Sequence, residues 1–342
     1  MGRHTAASWL AETGKMKDVC PILAANEGKL PPFIIFFGDR RRVIATAQHL
    51  NMRDVVRLDL VSERFFGLDG SGRVNLAFGL YGPEDKPIPL LLAETQMGCP
   101  PNQIILRELV PLTSTKGYVV KTATKEKKIG DKSISIVRAG TAGGINFSAP
   151  GSVRAAYDDN YFTRVAVGDV VVADKTTGHI GAVLQSLGIM NPFGAGSRKS
   201  YIEGLVSLGI YLDNDYPMMR CSPALVTALL NSAKALGLVT HIGTNLSKDS
   251  LYAEANEDIF IQFRSRLGVL STEMEQTLIC FEAARYKKEH GIDLQVGLIS
   301  ALVGLVPGGS FASGDDETRA KVAEKSILTA AADALHNIAY PD

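Results

Sequence analysis

Short runs of apolar residues recur along the chain, and each has the length of a strand that is buried on both faces of a sheet. The runs occupy residues 33–37, 88–93, 134–139, 169–173, 239–243 and 295–301. Helical patterns separate several of them. The clearest covers residues 224–236, where Ser222 is the predicted cap, Pro223 opens the helix and Gly237 ends it. The alternation predicts an α/β fold, a single domain over residues 1–342 with a central mixed β-sheet flanked by helices.

Two stretches interrupt this pattern and are predicted to be surface insertions. Residues 121–132 are rich in lysine, and residues 178–215 are weakly patterned around Asn191, Pro192, Gly194 and Gly196. A lysine-rich run is more typical of a solvated loop than of a polyanion site, so we assign it no function.

Composition and charge favour a small-molecule partner. Among 342 residues, 36 basic side chains balance 36 acidic ones, so no field of one sign attracts nucleic acid or an anionic membrane. The four cysteines lie far apart without metal-ligand spacing, which indicates reduced thiols. No apolar run is long enough for a signal peptide or for a span of about 18 residues. We therefore expect a soluble, cytoplasmic protein.

The first candidate for chemistry follows the strand at residues 33–37, where Gly38 and Asp39 precede three arginines at residues 40–42. Glycine lets the backbone approach an anion, and guanidinium groups offer forked donors that match phosphate. A strand end with a solvated basic turn explains this segment equally well when it is taken alone.

The second candidate is the strand at residues 134–139 and the glycine-rich turn predicted after it, which holds Thr141. Ligands of α/β sheets bind beyond the carboxyl ends of strands, where this turn would lie. Arg138 sits inside the apolar strand and needs an anionic partner, either a protein carboxylate or a ligand phosphate. The dinucleotide-binding pattern G-x-G-x-x-G does not occur here.

The third candidate is the triplet at residues 273–275, which precedes an apolar helical run over residues 278–284. Glutamates in a first helical turn are favoured by the helix dipole, and this is the commoner reason for such a pair. The carboxylates of Glu273 and Glu275 could equally accept hydrogen bonds from sugar hydroxyls.

Together the three segments resemble the nucleoside phosphorylase family, which contains uridine phosphorylases and bacterial-type purine nucleoside phosphorylases. That family carries G-D-P-x-R-V, R-x-G-T/S-x-G and E-M-E in this order. This chain has G-D-R-R-R-V at residues 38–43, R-A-G-T-A-G at 138–143 and E-M-E at 273–275. Supporting matches lie at residues 62–65, 167–171, 241–243 and 248–252, so the resemblance spans roughly residues 33–301.

The resemblance implies a site in which arginines orient a phosphate dianion for attack on the anomeric carbon, while ribose contacts hold that carbon in place. The implied phosphate site consists of Gly38, Arg42, Arg138, Thr141 and, from a neighbouring subunit, Arg64. The implied ribose site consists of Thr141, Glu273, Met274 and Glu275, and the base would contact Gly143 and Leu251. Of these residues, Arg42, Arg138 and Glu275 would be catalytic. The implied partners are a nucleoside and inorganic phosphate as co-substrate, with no further cofactor, and a homo-oligomer that is at least a dimer.

Two departures from the family argue against a purine enzyme. Purine-specific members carry an S-D pair after the strand equivalent to residues 295–301, whereas Ser300 is followed here by Ala301. Loss of a positioned general acid costs a factor of about 10² to 10⁴. Thr141 also matches the uridine branch, because purine enzymes more often have serine at that position.

Other departures affect base recognition. The G-Q-x-R segment with which uridine phosphorylases read uracil is replaced after Tyr252 by A-E-A-N-E, and Leu251 replaces the family's phenylalanine. Arg40 replaces a proline, and residues 97–101 alter a G-x-G-x-P stretch. The candidate substitutes for the base reader are Gln96, Asn102, Gln103, Arg198 and Lys199, and the candidate for a residue that reaches a neighbour's ribose is His4.

On balance, the sequence predicts cleavage of uridine by phosphate to uracil and ribose 1-phosphate. A purine nucleoside phosphorylase, a nucleosidase that uses water and a catalytically inactive binding relative remain alternatives. Phe65 replaces the glutamate that follows the shared arginine in cation-binding relatives, so we assign no metal ligand. Whether a metal lies at the dimer contact, and whether the assembly is a dimer or a larger ring, stays open.

Overall fold

The structure of the chain, a computed structural model, describes residues 4–39, 41–67, 74–122, 125–130, 133–147, 164–178, 181–187, 196–213, 216–249, 257–306 and 312–341. The α-helices are α1 (Ala6–Glu12), α2 (Pro21–Ala24), α3 (Arg42–His49), α4 (Leu58–Phe66), α5 (Cys99–Leu109), α6 (Gly181–Ser186), α7 (Ser197–Ser207), α8 (Pro223–Ala235), α9 (Glu257–Leu267), α10 (Gln276–His290) and α11 (Asp315–Ala339). The strands are β1 (Phe33–Phe37), β2 (Arg53–Arg57), β3 (Leu76–Tyr81), β4 (Ile88–Glu94), β5 (Tyr118–Lys121), β6 (Glu126–Ile129), β7 (Ser133–Ile145), β8 (Val170–Thr177), β9 (Tyr211–Asp213), β10 (Tyr216–Arg220), β11 (Thr240–Ser247), β12 (Val269–Glu273) and β13 (Asp293–Val306).

Eleven of the described strands form one sheet in the order β2-β3-β4-β1-β7-β12-β11-β8-β10-β9, and β13 pairs with both β7 and β8. Strand β1 is parallel to β4 and β7, and β11 is parallel to β8 and β12. Strand β12 is antiparallel to β7, whereas β13 is parallel to β7 and antiparallel to β8. The sheet is therefore mixed and helices pack against it, which confirms the predicted fold class.

The apolar runs that predicted strands are buried as expected. Every residue of β1 and β4 is buried, as a strand requires when helices cover both faces of the sheet. The long helix α11 packs on β13 and β7, and its small residues Ala330 and Ala331 are fully buried there. The core thus lies on both sides of the central strands, and it fixes the positions of their carboxyl ends. No helix in the described part of the chain has the length and apolar character needed to cross a membrane.

Strand β7 differs from its prediction, because the expected glycine-rich turn at residues 140–144 is a continuation of the strand. Its backbone pairs with β13 as far as Ile145 and with β12 at Gly143 and Gly144. A Cβ atom on Gly144 would lie 2.9 Å from side-chain atoms of Leu302 and Val165. The glycines therefore permit close packing of neighbouring strands rather than a change of chain direction.

Helix α8 confirms the predicted helix after Ser222, and Gly237 has the left-handed backbone (φ +72°) expected beyond its end. The predicted cap is wrong in one respect. The Ser222 hydroxyl does not cap α8 but accepts a hydrogen bond from the Val296 amide at 2.8 Å, which ties the helix start to β13.

The two predicted insertions contain regular structure. Residues 121–132 include the end of β5 and all of β6, which form a separate two-stranded sheet. Residues 178–215 include α6, α7 and β9, with Val183 and Leu205 fully buried. The second stretch therefore contributes to the core as well as to the surface.

Candidate active site

The three segments singled out in the sequence meet beside the middle of β7. Arg138 is in register with Phe36 of β1, so Gly38 follows just beyond this level of the sheet. Because β12 is antiparallel to the last part of β7, its carboxyl end points back toward Arg138. The structure thus brings together Gly38, Arg138 and Glu275, which are far apart in the sequence.

Arg138 is buried and has a carboxylate partner. Its Nη2 donates to Glu275 Oε2 at 3.0 Å, and both side chains are at most 7% exposed. Its Nη1 donates to the carbonyl oxygens of Ala139 at 3.1 Å and Phe36 at 3.4 Å. The Nε of Arg138 is buried without a hydrogen-bond partner among the described residues. The sequence left open whether Arg138 pairs with a protein carboxylate or with a ligand phosphate. The structure provides the carboxylate of Glu275, and the Nε of Arg138 remains an unused donor.

Two glycines make room for this guanidinium. A Cβ atom on Gly38 would lie 3.2 Å from Nη2 of Arg138, and one on Gly140 would lie 3.0 Å from its Nη1. Contacts at these distances are tight, so a larger residue at either position would displace the guanidinium group. Gly38 and Gly140 therefore determine where Arg138 lies.

Glu275 is held in its ionised form. Its Oε1 accepts from the Gly98 amide at 2.7 Å, and its Oε2 accepts from Arg138. Burial disfavours the charge, but Arg138 and the Gly98 hydrogen bond together hold the pKa of Glu275 below its ordinary value. Gly98 has φ +89°, a left-handed conformation that favours glycine, and it immediately precedes α5.

Glu273 has a different environment, in which four donors surround its carboxyl group. Its Oε1 accepts from Asn245 Nδ2 at 2.6 Å and from Ser247 Oγ. Its Oε2 accepts from the backbone amides of Glu275 at 2.7 Å and Gln276 at 2.9 Å. The side chain of Glu273 thereby caps α10 and joins it to β11.

Neither glutamate lies in a first helical turn, because Glu273 ends β12 and Glu275 immediately precedes α10. Burial and the charge of Glu275 raise the pKa of Glu273 to about 7. Of the two neighbouring carboxyl groups, Glu275 is therefore the one that carries the charge most firmly.

Arg42 is the first residue of α3 and is half-buried. Its Nη2 pairs with the carboxylate of Glu324 in α11. Burial lowers the pKa of Arg42, and so does the positive charge of Arg138. Arg41, in contrast, is exposed and pairs with Asp39 at 2.8 Å. Arg42 is thus the inward-facing cation among the described arginines of this turn.

The remaining described ribose and base candidates line the same stretch of β7 and β12. Thr141 is half-buried opposite Ala301 of β13, and Gly143 is opposite Thr272 of β12. Met274 is half-buried between the two glutamates. These positions are compatible with contact to a ligand beside Arg138, and the roles assigned to them stay predictions.

The residues predicted to act between subunits lie at the surface. Arg64 is exposed on α4, and its guanidinium carbon is 5.0 Å from the ring centre of Phe65. In the part of the chain that the structure describes, Arg64 forms no ion pair with Glu63. The Nδ1 atom of His4 lies 3.5 Å from Oε1 of Glu12. A role across a subunit contact stays a prediction for both residues.

The base-binding candidates have varied positions. Leu251 lies outside the described residues. Gln96 is half-buried with φ +60° and lies two positions before Gly98. Asn102 donates from Nδ2 to the Gly98 carbonyl at 2.8 Å, and Gln103 donates to a buried carboxylate of α10 at 2.7 Å. The other two, Arg198 and Lys199, are exposed on α7.

Several residues of the site were missed in the sequence. Gly98 had a local signal, because a glycine before C-P-P marks the start of a helix. Asn245 and Ser247 had a weaker one, two polar residues on one face of a strand. Glu324 had none, because it lies 282 positions from Arg42.

The described residues contain no group of three or more His, Cys, Asp or Glu side chains that could hold a metal ion. The groups available for binding are therefore guanidinium groups, backbone amides and carboxylates, which suit an anion and hydroxyl groups.

The chain was compared with protein-family models and with curated protein sequences. The family model of the phosphorylase superfamily matches residues 72–332, which is more than half of the chain. No curated protein sequence gives a significant match.

Among solved structures, the chain is similar to uridine phosphorylase from Vibrio fischeri ES114, with 17% identity and a TM-score of 0.57 over 90% of this chain and 92% of that chain. It is also similar to purine nucleoside phosphorylase from Toxoplasma gondii in complex with immucillin-H, with 18% identity and a TM-score of 0.55 over 91% and 93%. At these identities the likeness shows a shared fold.

Proposed function

Because the chain belongs to the phosphorylase superfamily, we propose that it catalyses phosphorolysis of a nucleoside, with inorganic phosphate as co-substrate and no further cofactor. The observation that carries this proposal is the buried pair of Arg138 and Glu275 beyond the end of β1. Phosphorolysis needs donors for a dianion beside acceptors for sugar hydroxyls, and this pair supplies both.

The phosphate site of the proposal consists of Arg42, Arg138, Gly38 and Thr141. Burial and the positive charge of Arg138 lower the pKa of Arg42, so a dianion bound by the two guanidinium groups would offset the repulsion that Arg42 experiences. Arg138 keeps an unused Nε donor, and the absence of a side chain at Gly38 leaves room for the guanidinium group of Arg138. These groups would orient the nucleophile and stabilise its charge.

The ribose site of the proposal rests on Glu275 rather than Glu273. A carboxylate has about four lone-pair positions. In Glu273 all four have donors, whereas Glu275 uses one on each oxygen. Glu275 can therefore accept two further hydrogen bonds from ribose hydroxyls, with Met274 beside it. Glu273 acts on the sugar indirectly, by fixing the start of α10.

The reaction follows from this arrangement. A phosphate oxygen held by the arginines attacks the anomeric carbon, the glycosidic bond breaks, and its electron pair leaves with the base. The anomeric carbon develops oxocarbenium character, which the ionised Glu275 and the phosphate dianion stabilise. The products are ribose 1-phosphate and the base anion, which takes a proton from water to give the free base. Water as nucleophile would need no such arginines, which argues against a nucleosidase.

For the nucleoside substrate we propose uridine. Ala301, the residue after Ser300, is fully buried opposite Thr141 and offers no acid to protonate a leaving purine. Such a loss costs a purine enzyme a factor of about 10² to 10⁴ in rate. The missing acid is therefore a defect for purine cleavage, which favours uridine, and the product base would be uracil.

We propose further that the chain works as a homodimer or larger assembly in which Arg64 completes the phosphate site of a neighbouring subunit. In support, Arg64 is exposed and unpaired with a carboxylate among the described residues, so its guanidinium is available to a second subunit.

The test is an assay of the purified chain with uridine, thymidine, inosine and adenosine, with and without inorganic phosphate. The free base and ribose 1-phosphate are both measured. We expect base release only with phosphate, an equal amount of ribose 1-phosphate, and the highest kcat/KM for uridine.

Each other result points to an alternative. Base release in phosphate-free buffer would indicate a nucleosidase, and a higher kcat/KM for inosine or adenosine would indicate a purine enzyme. A folded chain that cleaves no nucleoside would be a binding relative. The control is Lys287→Ala, which removes an exposed cation of α10 paired at 3.3 Å with Asp293 and should leave turnover unchanged.

A further inference from the structure

The ion pair between Arg42 and Glu324 joins the proposed phosphate site to the long helix α11. Arg42 begins α3, and Glu324 lies in the middle of α11. The two side chains are about equally shielded, at 27% and 26% exposed. Among the described residues, Glu324 is the carboxylate that contacts this guanidinium.

Helix α11 is a firm support for such a contact. It packs on β13, β7, β1 and β4, and Ile327 and Leu335 are buried there to 1% exposure or less. The far end of α3 is attached to the same helix, because His49 Nε2 lies 3.1 Å from Thr329 Oγ1. Helix α3 is thus fixed to α11 at both ends, with Arg42 at the end that faces the site.

The contact leaves most of the guanidinium group free. A guanidinium has five N–H donors, and the pair with Glu324 involves Nη2 alone. Arg138 is held in the same way, because Glu275 binds its Nη2 and leaves Nε unused. In both cases a carboxylate from another element fixes the orientation of the arginine and leaves donors for a ligand.

We propose that Glu324 is a positioning residue of the phosphate site, which holds Arg42 in its binding orientation before phosphate arrives. This inference rests on the proposed role of Arg42 as a phosphate ligand. Without its partner, a long arginine side chain at a half-exposed helix start samples several rotamers, and phosphate binding has to select one of them. Glu324 therefore acts on the affinity for phosphate and not on the affinity for the nucleoside.

The test measures binding of inorganic phosphate by calorimetry, so that it does not depend on turnover. We expect Glu324→Ala to weaken phosphate binding about tenfold, the effect of losing one charge-assisted hydrogen bond. Glu324→Gln should weaken it less, because the amide oxygen still accepts from Arg42. Glu317→Gln is the matched control, since Glu317 lies on α11 but pairs with Lys321, and it should bind phosphate as the wild type does.

A double-mutant cycle shows whether Glu324 acts through Arg42. Arg42→Ala should weaken phosphate binding, and adding Glu324→Ala to it should have no further effect. In steady-state assays, Glu324→Ala should raise KM for phosphate and leave KM for the nucleoside unchanged.

The inference is overturned if Glu324→Ala binds phosphate as tightly as the wild type or more tightly, or if it weakens binding equally when Arg42 is absent. Tighter binding would mean that Glu324 competes with phosphate. If Arg42→Ala binds phosphate normally, the phosphate role of Arg42 and this inference are both wrong. If phosphate binding follows the expected cycle but no nucleoside is cleaved, only the proposed activity is wrong.

Discussion

Glu273 and Glu275 lie two positions apart in the chain, yet their carboxyl groups have different partners and different consequences. Glu273 joins β11, β12 and α10 through four donors, which include two backbone amides at the helix start. Glu275 contacts Arg138 and Gly98 and retains acceptor capacity. At the scale of the residue, the structure separates a carboxyl group with four donors from one that retains acceptor capacity.

The first prediction uses this difference. Glu275→Gln keeps an oxygen for the Gly98 amide but loses the charge, so kcat/KM for the nucleoside should fall about 10- to 150-fold, from the loss of about 1.5–3 kcal/mol in charged hydrogen bonds. Glu273→Ala should instead reduce stability by about 1–3 kcal/mol, because buried amides lose their acceptor. Steady-state kinetics at saturating phosphate and urea unfolding measure the two effects. A Glu273→Ala chain of normal stability, or a fully active Glu275→Gln chain, would contradict the assignment.

The second prediction concerns acid. The folded state lowers the pKa of Glu275 below its ordinary value, because Arg138 and Gly98 outweigh its burial. A carboxyl group with a lowered pKa adds stability above the unfolded pKa of about 4.5, and this stability is lost as the pH falls through the folded value. The free energy of unfolding of the wild type should therefore exceed that of Glu275→Gln at pH 7, and the difference should shrink below about pH 4.5. Urea unfolding at pH 7, 5 and 4 measures it, and a difference that stays constant would show that Glu275 is not held ionised.

At the scale of the element, β7 shows both the reach and the limit of the sequence. Its first half was predicted correctly from the mainly apolar run at residues 134–139. Its second half has the sequence G-T-A-G-G, which is typical of a turn. The structure shows a strand there, in which Leu302 and Val165 approach Gly144 too closely for a side chain. A local sequence pattern cannot reveal such a contact between distant residues. The prediction that the Ser222 hydroxyl caps α8 was wrong for a similar reason, because this hydroxyl accepts a hydrogen bond from Val296 in the distant strand β13.

The third prediction compares two glycines of this strand. Gly140→Ala would place a methyl group 3.0 Å from Nη1 of Arg138, so we expect a higher KM for phosphate at nearly normal stability. Gly144→Ala would place it 2.9 Å from Leu302 and Val165, so we expect a stability loss of about 1–3 kcal/mol from overpacking. Kinetics with varied phosphate and thermal unfolding test the pair. If both variants lost only stability, Gly140 would have no part in placing Arg138.

At the scale of the whole molecule, the sequence predicted the arrangement of the site better than its supports. The segment that begins at Gly38, the strand with Arg138 and the E-M-E triplet each carry a local sequence pattern, so we could expect them to converge. The contact of Arg42 with Glu324 depends on how α11 crosses the sheet, and no local pattern encodes that. The role proposed for Arg64 is a larger question of the same kind, because it would involve a second subunit.

The last prediction tests whether Arg64 acts across a subunit contact. An Arg64→Ala chain and an Arg138→Lys chain are co-expressed with different tags, and mixed dimers are isolated by both tags in turn. The lysine keeps a positive charge beside Glu275, which protects the fold, but it lacks the forked donors that phosphate needs. If Arg64 acts on its neighbour's site, a mixed dimer has one site with both changes and one site with neither. Its activity should then reach about half that of the wild-type dimer, although each parent homodimer is nearly inactive.

The alternative gives a different outcome for the same sample. If Arg64 served the site of its own chain, both sites of the mixed dimer would carry one change each, and no activity would return. If Arg64 only lay against Phe65 at the surface, as its cation–π contact alone would suggest, the Arg64→Ala homodimer would be fully active. Recovery to about half in the mixed dimer therefore requires both an inactive Arg64→Ala parent and a site shared between subunits, which neither alternative provides.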